Sequence, residues 1–228
     1  MENNTTFISG TTINEYTRKV FLWLTLGLLL AAGAGFVSLV TGITFFFFSN
    51  RFLPLILLGG QLFLVFKLSA SLHKLSESTA KIMFIAYAIV TGITFSVYGV
   101  IFDAATIFLA FAYTSVLFGS MAFIGYTTKA DLTKYSGLFM AGLIALIVAT
   151  VINMFLNIGG LDMFISYAGI ILFLGITAYD LNKMKKLYAM NIGNEEALSK
   201  LAIYSALDLF LDFINIFIYL LRIMGNKK

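Results

Sequence analysis

An all-α membrane protein of seven crossing helices is the architecture this chain predicts, from its composition and from the number and length of its apolar runs. Hydrophobic residues make up 60% of the 228 residues and charged residues 11%, with a mean hydropathy of +0.96. A soluble domain carries about 25% charged residues, so the chain reads as a polytopic membrane protein rather than a large-cored globule. Seven apolar runs have the length of about 17 to 25 residues that a bilayer crossing needs.

The runs are Val20 to Phe46, Phe52 to Leu72, Lys81 to Phe102, Ala104 to Tyr126, Tyr135 to Leu156, Met163 to Lys183, and Leu201 to Met224. Residues 1–17 are polar and mixed in charge, and form a segment separate from the seven-helix domain of residues 18–228. They lack the basic-then-apolar order of a cleaved signal, so the first run is expected to stay as a helix. Little more than Asp103 separates the third and fourth runs, which predicts a tight hairpin. Gly159 and Gly160 allow the reversal between the fifth and sixth. Small residues at helical spacing mark close helix packing: Gly27 with Ala31 and Ala34, Ala141 with Ala145, and Gly169 with Gly175. The string TGITF occurs at Thr41 to Phe45 and again at Thr91 to Phe95, an echo that chance or an internal repeat can produce.

Cations set the expected orientation. Arg18, Lys19, Lys74, Lys81, Lys129, Lys134, Lys183, Lys185, Lys186 and Lys200 fall on the side of the N-terminus, and only Arg51, Arg222, Lys227 and Lys228 on the other. The N-terminus is expected in the cytosol and the C-terminus outside. The net charge of +4 follows from this anchoring, and no basic run resembles a nucleic-acid site.

Function is sought in the polar residues inside the spans. A carboxylate at a helix centre costs roughly 2.5 to 3.5 kcal/mol on insertion scales, yet Asp180 lies in the sixth span and Asp208 and Asp212 in the seventh. The two spans are antiparallel neighbours, and the three acids fall at comparable depth from the N-terminal side. The i, i+4 spacing puts Asp208 and Asp212 on one helical face, which Asn215 continues. Two carboxylates held close in a low dielectric cannot both ionise, so one of the pair holds a proton. Such a pair serves as a shared-proton clasp between helices or, once ionised, as an oxygen site for a hard cation. The packing alternative pairs these acids with Lys67, Lys183 or backbone donors. Lys67, inside the second span, either snorkels to the interface or acts as a counter-charge to Asp180 or Asp212. His73, the single histidine, reads as an interfacial surface residue. Gln61, Asn153, Tyr179 and Asn182 are further polar residues that could line a path.

Enzyme chemistry finds no support. With no cysteine and one histidine, thiolate metal sites, a cysteine nucleophile and an HExxH zinc site are excluded. A GxSxG elbow and a GxGD aspartyl-protease motif are absent, as is a retinal-binding lysine in the seventh span. No cofactor is expected.

The string AYDLNKMKKL, followed about thirty residues later by ALDLFLDFINIFIYLLRIMG, resembles the paired signature of the transmembrane Bax inhibitor motif family (Bax inhibitor-1-like), its bacterial branch above all. The similarity extends more weakly to the seven-span plan and to VTGITF in the third span. The resemblance implies six helices around a central seventh, and a calcium leak regulated by pH through an aspartate pair. Carried over by motif, the Tyr-Asp pair falls on Tyr179 and Asp180, and the LDFIN aspartate on Asp212. The pH sensor and gate is then expected at Asp180 with Asp212, with Asp208, Asn215, Tyr179 and Lys67 lining the pore or assisting. Asp180, Asp208 and Asp212 together form the expected calcium path. Asp208 departs from the pattern as an additional carboxylate. The basic partner of the gate also departs, with Lys67, His73 and Lys74 as candidates.

The leading expectation is a passive, pH-dependent calcium-permeable channel of a bacterial inner membrane, whose partners are the bilayer, calcium ions and protons. An alternative is a regulator of a membrane protease or of a stress or cell-death pathway, acting by protein contact through the loop Asn191 to Lys200. A third reading uses the same acids as the relay of a proton-coupled transporter.

Overall fold

The computed structural model describes residues 10–50, 52–70 and 74–225, and within them the secondary structure is helical with no strand. The helices are α1 (Ile13–Val40), α2 (Ile43–Ser49), α3 (Leu53–Ala70), α4 (Glu77–Phe95), α5 (Tyr98–Ile101), α6 (Ala104–Thr127), α7 (Ser136–Leu156), α8 (Leu161–Met190) and α9 (Glu195–Gly225), with a 3₁₀ turn at Leu132–Tyr135 before α7. Seven of these segments are long and apolar enough to cross a membrane: α1, α3, α4 continued by α5, α6, the 3₁₀ turn with α7, α8 and α9. The chain is therefore an all-α polytopic membrane protein, as its composition predicts.

The helix ends lie where capping groups sit rather than where hydropathy stops. α1 begins seven residues before the expected Val20, because Thr12 and Glu15 form a capping box. The Thr12 hydroxyl accepts from the Glu15 amide (3.3 Å), and the Glu15 carboxylate accepts from the Thr12 amide (2.8 Å). α8 runs seven residues past Lys183. α9 starts six before Leu201, its first turn capped by Asn194 Oδ1, which accepts from the Ala197 amide (3.0 Å). Asp103 caps α6 in the same way through the Thr106 amide (2.8 Å), which gives the expected hairpin turn. Between α7 and α8 the turn uses Asn157 (φ 47°) and Gly160 (φ 82°) as its left-handed residues, and Gly159 keeps a negative φ.

The two TGITF copies adopt different structures, so the echo is not a structural repeat. In the first, Gly42 at φ 78° breaks the chain between α1 and α2. The second lies within α4, where Gly92 lets α1 approach until an added Cβ would sit 2.2 Å from the Ala31 carbonyl oxygen. Of the expected small-residue contacts, Gly27 meets Phe84 and Phe210, Gly169 meets Tyr219, and Gly175 meets Phe139. Ala141 and Ala145 are instead exposed on the outer face of α7, and Gly142, one residue on from Ala141, meets Leu172 of α8.

α9 is the centre of the bundle. It packs against α1, α3, α4, α6 and α8, and buries residues around its circumference from Leu198 to Leu221. α7 packs mainly on the outside of α8, so the ring around α9 is less even than six equal neighbours. The outward faces of the other helices carry exposed Phe, Leu and Ile side chains, the pattern of a protein whose solvent there is lipid.

Candidate functional site: a carboxyl and lysine cluster between two helices

One face of α8 carries Asp162, Ser166, Gly169, Phe173, Thr177 and Asp180 at i+3 and i+4 spacing, and each looks toward α9 or the end of α7. At its N-terminal end a polar cavity of ≈ 590 Å³ is lined by Asn153, Asp162, Ser166 and Arg222. Next inward, the Tyr219 ring lies over Gly169, 6.1 Å from the Phe173 ring, with the Arg222 guanidinium 5.9 Å from the centre of Tyr219. Beyond this aromatic pair come the acids.

Asp212 is 2% exposed, and its Oδ2 receives no hydrogen bond from any amide, hydroxyl or ammonium group among the described residues. The charged group that bears most on it across the helix interface is the Asp180 carboxyl. Thr177, whose hydroxyl donates to the Phe173 carbonyl (2.8 Å), faces the Asp212 carboxyl. One turn toward the N-terminal side, Lys183 Nζ lies 2.8 Å from Asp208 Oδ2 and 3.7 Å from Asp180 Oδ1. Its third oxygen is the Tyr204 hydroxyl at 2.9 Å, with the Tyr204 ring centre 4.7 Å away. Accessibility grades outward through the cluster, from buried Asp212, through Asp180 at 10% and Asp208 at 17%, to Lys183 at 25% of their side-chain surfaces. On the α1 side, the Tyr16 hydroxyl shares a hydrogen bond with Ser205 (3.3 Å) and covers α9 one turn from Asp208.

The other expected residues take these places. The cation among the acids is Lys183, from α8, as the packing alternative allowed. Lys67 and Lys74 are exposed, and His73 falls outside the described residues. Helix geometry explains Tyr179: with Asp180 turned to α9, its neighbour about 100° round the helix faces α7, where its ring packs 5.5 Å from Phe139. Asn215 donates to the Leu211 carbonyl of its own helix (2.8 Å). Gln61 bonds Thr91 (3.1 Å), and Asn153 bonds Asp162 (2.6 Å) and the Ile158 amide (3.0 Å), so both hold structure. Among the described residues no three acidic or histidine side chains converge tightly enough to hold a metal. The expected set of Asp180, Asp208 and Asp212 is thus not a closed chelate, because Asp208 is drawn to Lys183.

The rest of the AYDLNKMKKL segment grips the loop between α6 and α7. Asn182 accepts from the Leu132 amide (3.2 Å) and donates to the Ala130 carbonyl (3.0 Å). Lys185 donates to the Tyr126 and Thr128 carbonyls (2.6 and 3.1 Å), where the last carbonyls of α6 attract a cation. Lys186 reaches Asp131 (2.5 Å) and Thr133 (2.7 Å). The Lys186 ammonium and the Thr133 hydroxyl hold the Asp131 carboxyl below the usual carboxylate range, at about 2. Sequence reasoning missed Tyr204 and Thr177. Their spacing carried the signal, four residues before Asp208 and three before Asp180.

The fold and this cluster define a polytopic helical membrane protein with titratable groups buried between its two C-terminal helices. Comparison with known proteins gives the family: the profile described as "Inhibitor of apoptosis-promoting Bax1" matches residues 13–228. The chain belongs to this family, the Bax inhibitor-1 family. It is 37% identical to "Inner membrane protein YbhL" of Escherichia coli K12 over 218 residues, 95% of this chain and 93% of that protein. It is 35% identical to RP147 of Rickettsia prowazekii over 99% of this chain and 94% of that one. With the membrane protein SpyM3_0260 of Streptococcus pyogenes the identity is 31%, over 94% of each.

Proposed function

We propose that this protein is a pH-regulated, calcium-permeable leak of a bacterial inner membrane, closed when Asp180 and Asp212 share a proton and clasp α8 to α9. One observation supports the reading above others: a carboxyl buried to 2% exposure on which a second carboxyl bears across a helix interface, and which has an oxygen with no donor. Packing alone gains nothing from such a group, since a buried polar atom left unpaired costs about 1 to 3 kcal/mol. A group that must take up and release protons or cations has a use for it. The route runs from the outer cavity at Asp162, past Tyr219 and Phe173, to the acids and out between Lys183 and Tyr204. The aromatic pair keeps it shut in this conformation. The concentration of cations on the N-terminal side supports a cytosolic position for that side. The name of the relative YbhL supports the inner membrane.

Purified protein in liposomes loaded with a calcium dye is expected to leak calcium with a dependence on pH. Asp180→Asn and Asp212→Asn are each expected to remove most of that dependence, and an unchanged pH profile in both variants would overturn the mechanism. A C-terminal alkaline phosphatase fusion is expected to be active. An inactive one, with a fluorescent C-terminal fusion that glows, reverses the orientation.

A second reading, regulation of a membrane protease or a stress pathway by protein contact, has support in the loop between α8 and α9. Much of that loop is committed internally: Glu195 takes the Thr11 amide (2.7 Å) and hydroxyl, and Lys200 pairs with Glu196 (3.1 Å). Met190 and Ile192 are left exposed, two apolar side chains on a polar turn. Crosslinking of the whole protein in its membrane, with Asn191 to Asn194 intact or replaced by Gly and Ser, tests this reading. A crosslinked partner that survives the replacement counts against it.

A further inference from the structure

We propose that Lys183 is a tethered cation that occupies the exchange position of the path, so that a divalent ion passes only by displacing its ammonium from Asp208 and Asp180. The inference rests on the reading that these acids lie on a calcium route.

The ammonium sits where a hard cation would be held. It has three oxygens around it, Asp208 Oδ2 at 2.8 Å, the Tyr204 hydroxyl at 2.9 Å and Asp180 Oδ1 at 3.7 Å. Oxygen donors of this kind are what calcium takes as ligands. A further carboxyl oxygen, Asp212 Oδ2, is buried one turn along α9 from Asp208 and has no hydrogen-bond partner among the described residues. Around the position stand Asp180 and Thr177 from α8, Tyr204, Asp208 and Asp212 from α9, and the Tyr16 hydroxyl from α1. Lys183 is the one cation within ion-pair distance of these acids among the described residues.

A lysine suits this task better than an arginine. Its head is a compact charge on a flexible four-carbon stem, whereas guanidinium holds a carboxylate with a rigid fork. With a quarter of its side chain accessible, Lys183 can swing toward the N-terminal side without crossing the bundle. A divalent ion brings twice the charge to the same oxygens and can therefore compete with it. Three acids that do not close around one metal make a weak site, which suits an ion in transit. The additional carboxylate Asp208 then has a specific role, as the main anchor of the tether.

Two measurements on the full chain test this, with calcium alone as the probe. The first is calcium affinity in detergent, read as the shift of the unfolding temperature with calcium concentration. The second is calcium flux from dye-loaded liposomes. Lys183→Met is expected to bind calcium about tenfold or more tightly, since the ion no longer breaks a charge-assisted hydrogen bond, and to leak faster. Lys183→Arg, which keeps the charge, is expected to leak more slowly than the unaltered protein. Should Lys183→Met fail to fold because Asp208 is left unpaired, the neutral pair Lys183→Gln with Asp208→Asn replaces it, again with a faster leak expected. Equal affinity and equal flux in the folded variants and the unaltered protein would overturn the inference. Absence of flux in the unaltered protein at every pH would instead sink the leak, while the detergent titration still reads whether Lys183 competes with calcium.

Discussion

Gly125→Ala is a perturbation whose cost follows from the geometry of one contact. Gly125 of α6 lies against the backbone of α8 at Ala178, and a Cβ placed on it would stand 2.4 Å from the Ala178 carbonyl oxygen, 2.6 Å from its Cα and 2.8 Å from its carbonyl carbon. Ordinary contact begins near 3.4 Å, so the helices must separate by about an ångström. No flexible side chain is present to absorb the change. Overpacking of this kind costs about 1 to 3 kcal/mol. Gly119→Ala on the same helix is the control, because a Cβ there meets nothing within 4 Å. Both variants share the helix-propensity gain of about 0.8 to 1 kcal/mol for alanine over glycine. The difference between them therefore isolates the steric term. At about 2 to 4 °C per kcal/mol for a chain of this size, Gly125→Ala is expected to unfold some 2 to 12 °C below Gly119→Ala in detergent. The strain falls two residues from Asp180 and next to the Tyr126 carbonyl that Lys185 holds, so calcium leak is expected to rise as well. If Gly125→Ala proved as stable as Gly119→Ala, the close approach of α6 to α8 would be refuted.

Three other outcomes follow from the same structure. Asn182→Ala removes two hydrogen bonds and strands the Leu132 amide and the Ala130 carbonyl, a loss of about 1 to 3 kcal/mol. Faster hydrogen exchange at residues 130–133 is the expected readout, and unchanged protection there would discount the grip. Asp131, held down to about 2 from its ordinary 3.8, adds to the stability of the α6–α7 loop at all pH values above the ordinary one. That contribution is lost as pH falls through about 2. Hydrogen exchange of the loop across acid pH is expected to show the step in the unaltered protein and none in Asp131→Asn. Tyr219→Ala removes the ring over Gly169 and beside Phe173, and on the proposed route it joins the outer cavity to the acids. A higher basal calcium leak that keeps its pH response is expected, and an unchanged leak would remove Tyr219 from the barrier.

The seven crossings were legible because length and apolarity are local properties, and a bilayer demands both at once. Their ends were not, because hydropathy is blind to caps: Thr12 with Glu15 and Asn194 each extend a helix into polar sequence. The break at Gly42 was equally hidden, since the same five residues run straight through a helix at Thr91 to Phe95. At the site, the i, i+4 spacing of Asp208 and Asp212 and the antiparallel run of two successive helices were enough to bring Asp212 to Asp180. The partner of Asp208 depends on the rotation of α8 against α9, which spacing within one helix does not specify. For that reason the second span drew attention as the source of the basic group, whereas Lys67 is exposed and Lys183, three residues from Asp180, is the cation present.

On the proposed reading, protons and calcium act on the same oxygens, and the charge of the cluster shows why. Three carboxyls and one ammonium leave two negative charges uncompensated if every acid ionises, and a proton shared between Asp180 and Asp212 reduces this to one. An uncompensated charge between packed helices is costly. It can be relieved by a second proton, by an entering cation, or by a movement that admits water. Acid relieves it with the clasp intact, whereas loss of the shared proton raises the charge to two and favours either a divalent ion or separation of α8 from α9. Because both ligands draw on one set of carboxylates, each must weaken the binding of the other by the same factor. Lys183 sets the level at which this exchange takes place: with the ammonium on Asp208 and Asp180 the site is partly satisfied, and only an ion of higher charge gains by replacing it.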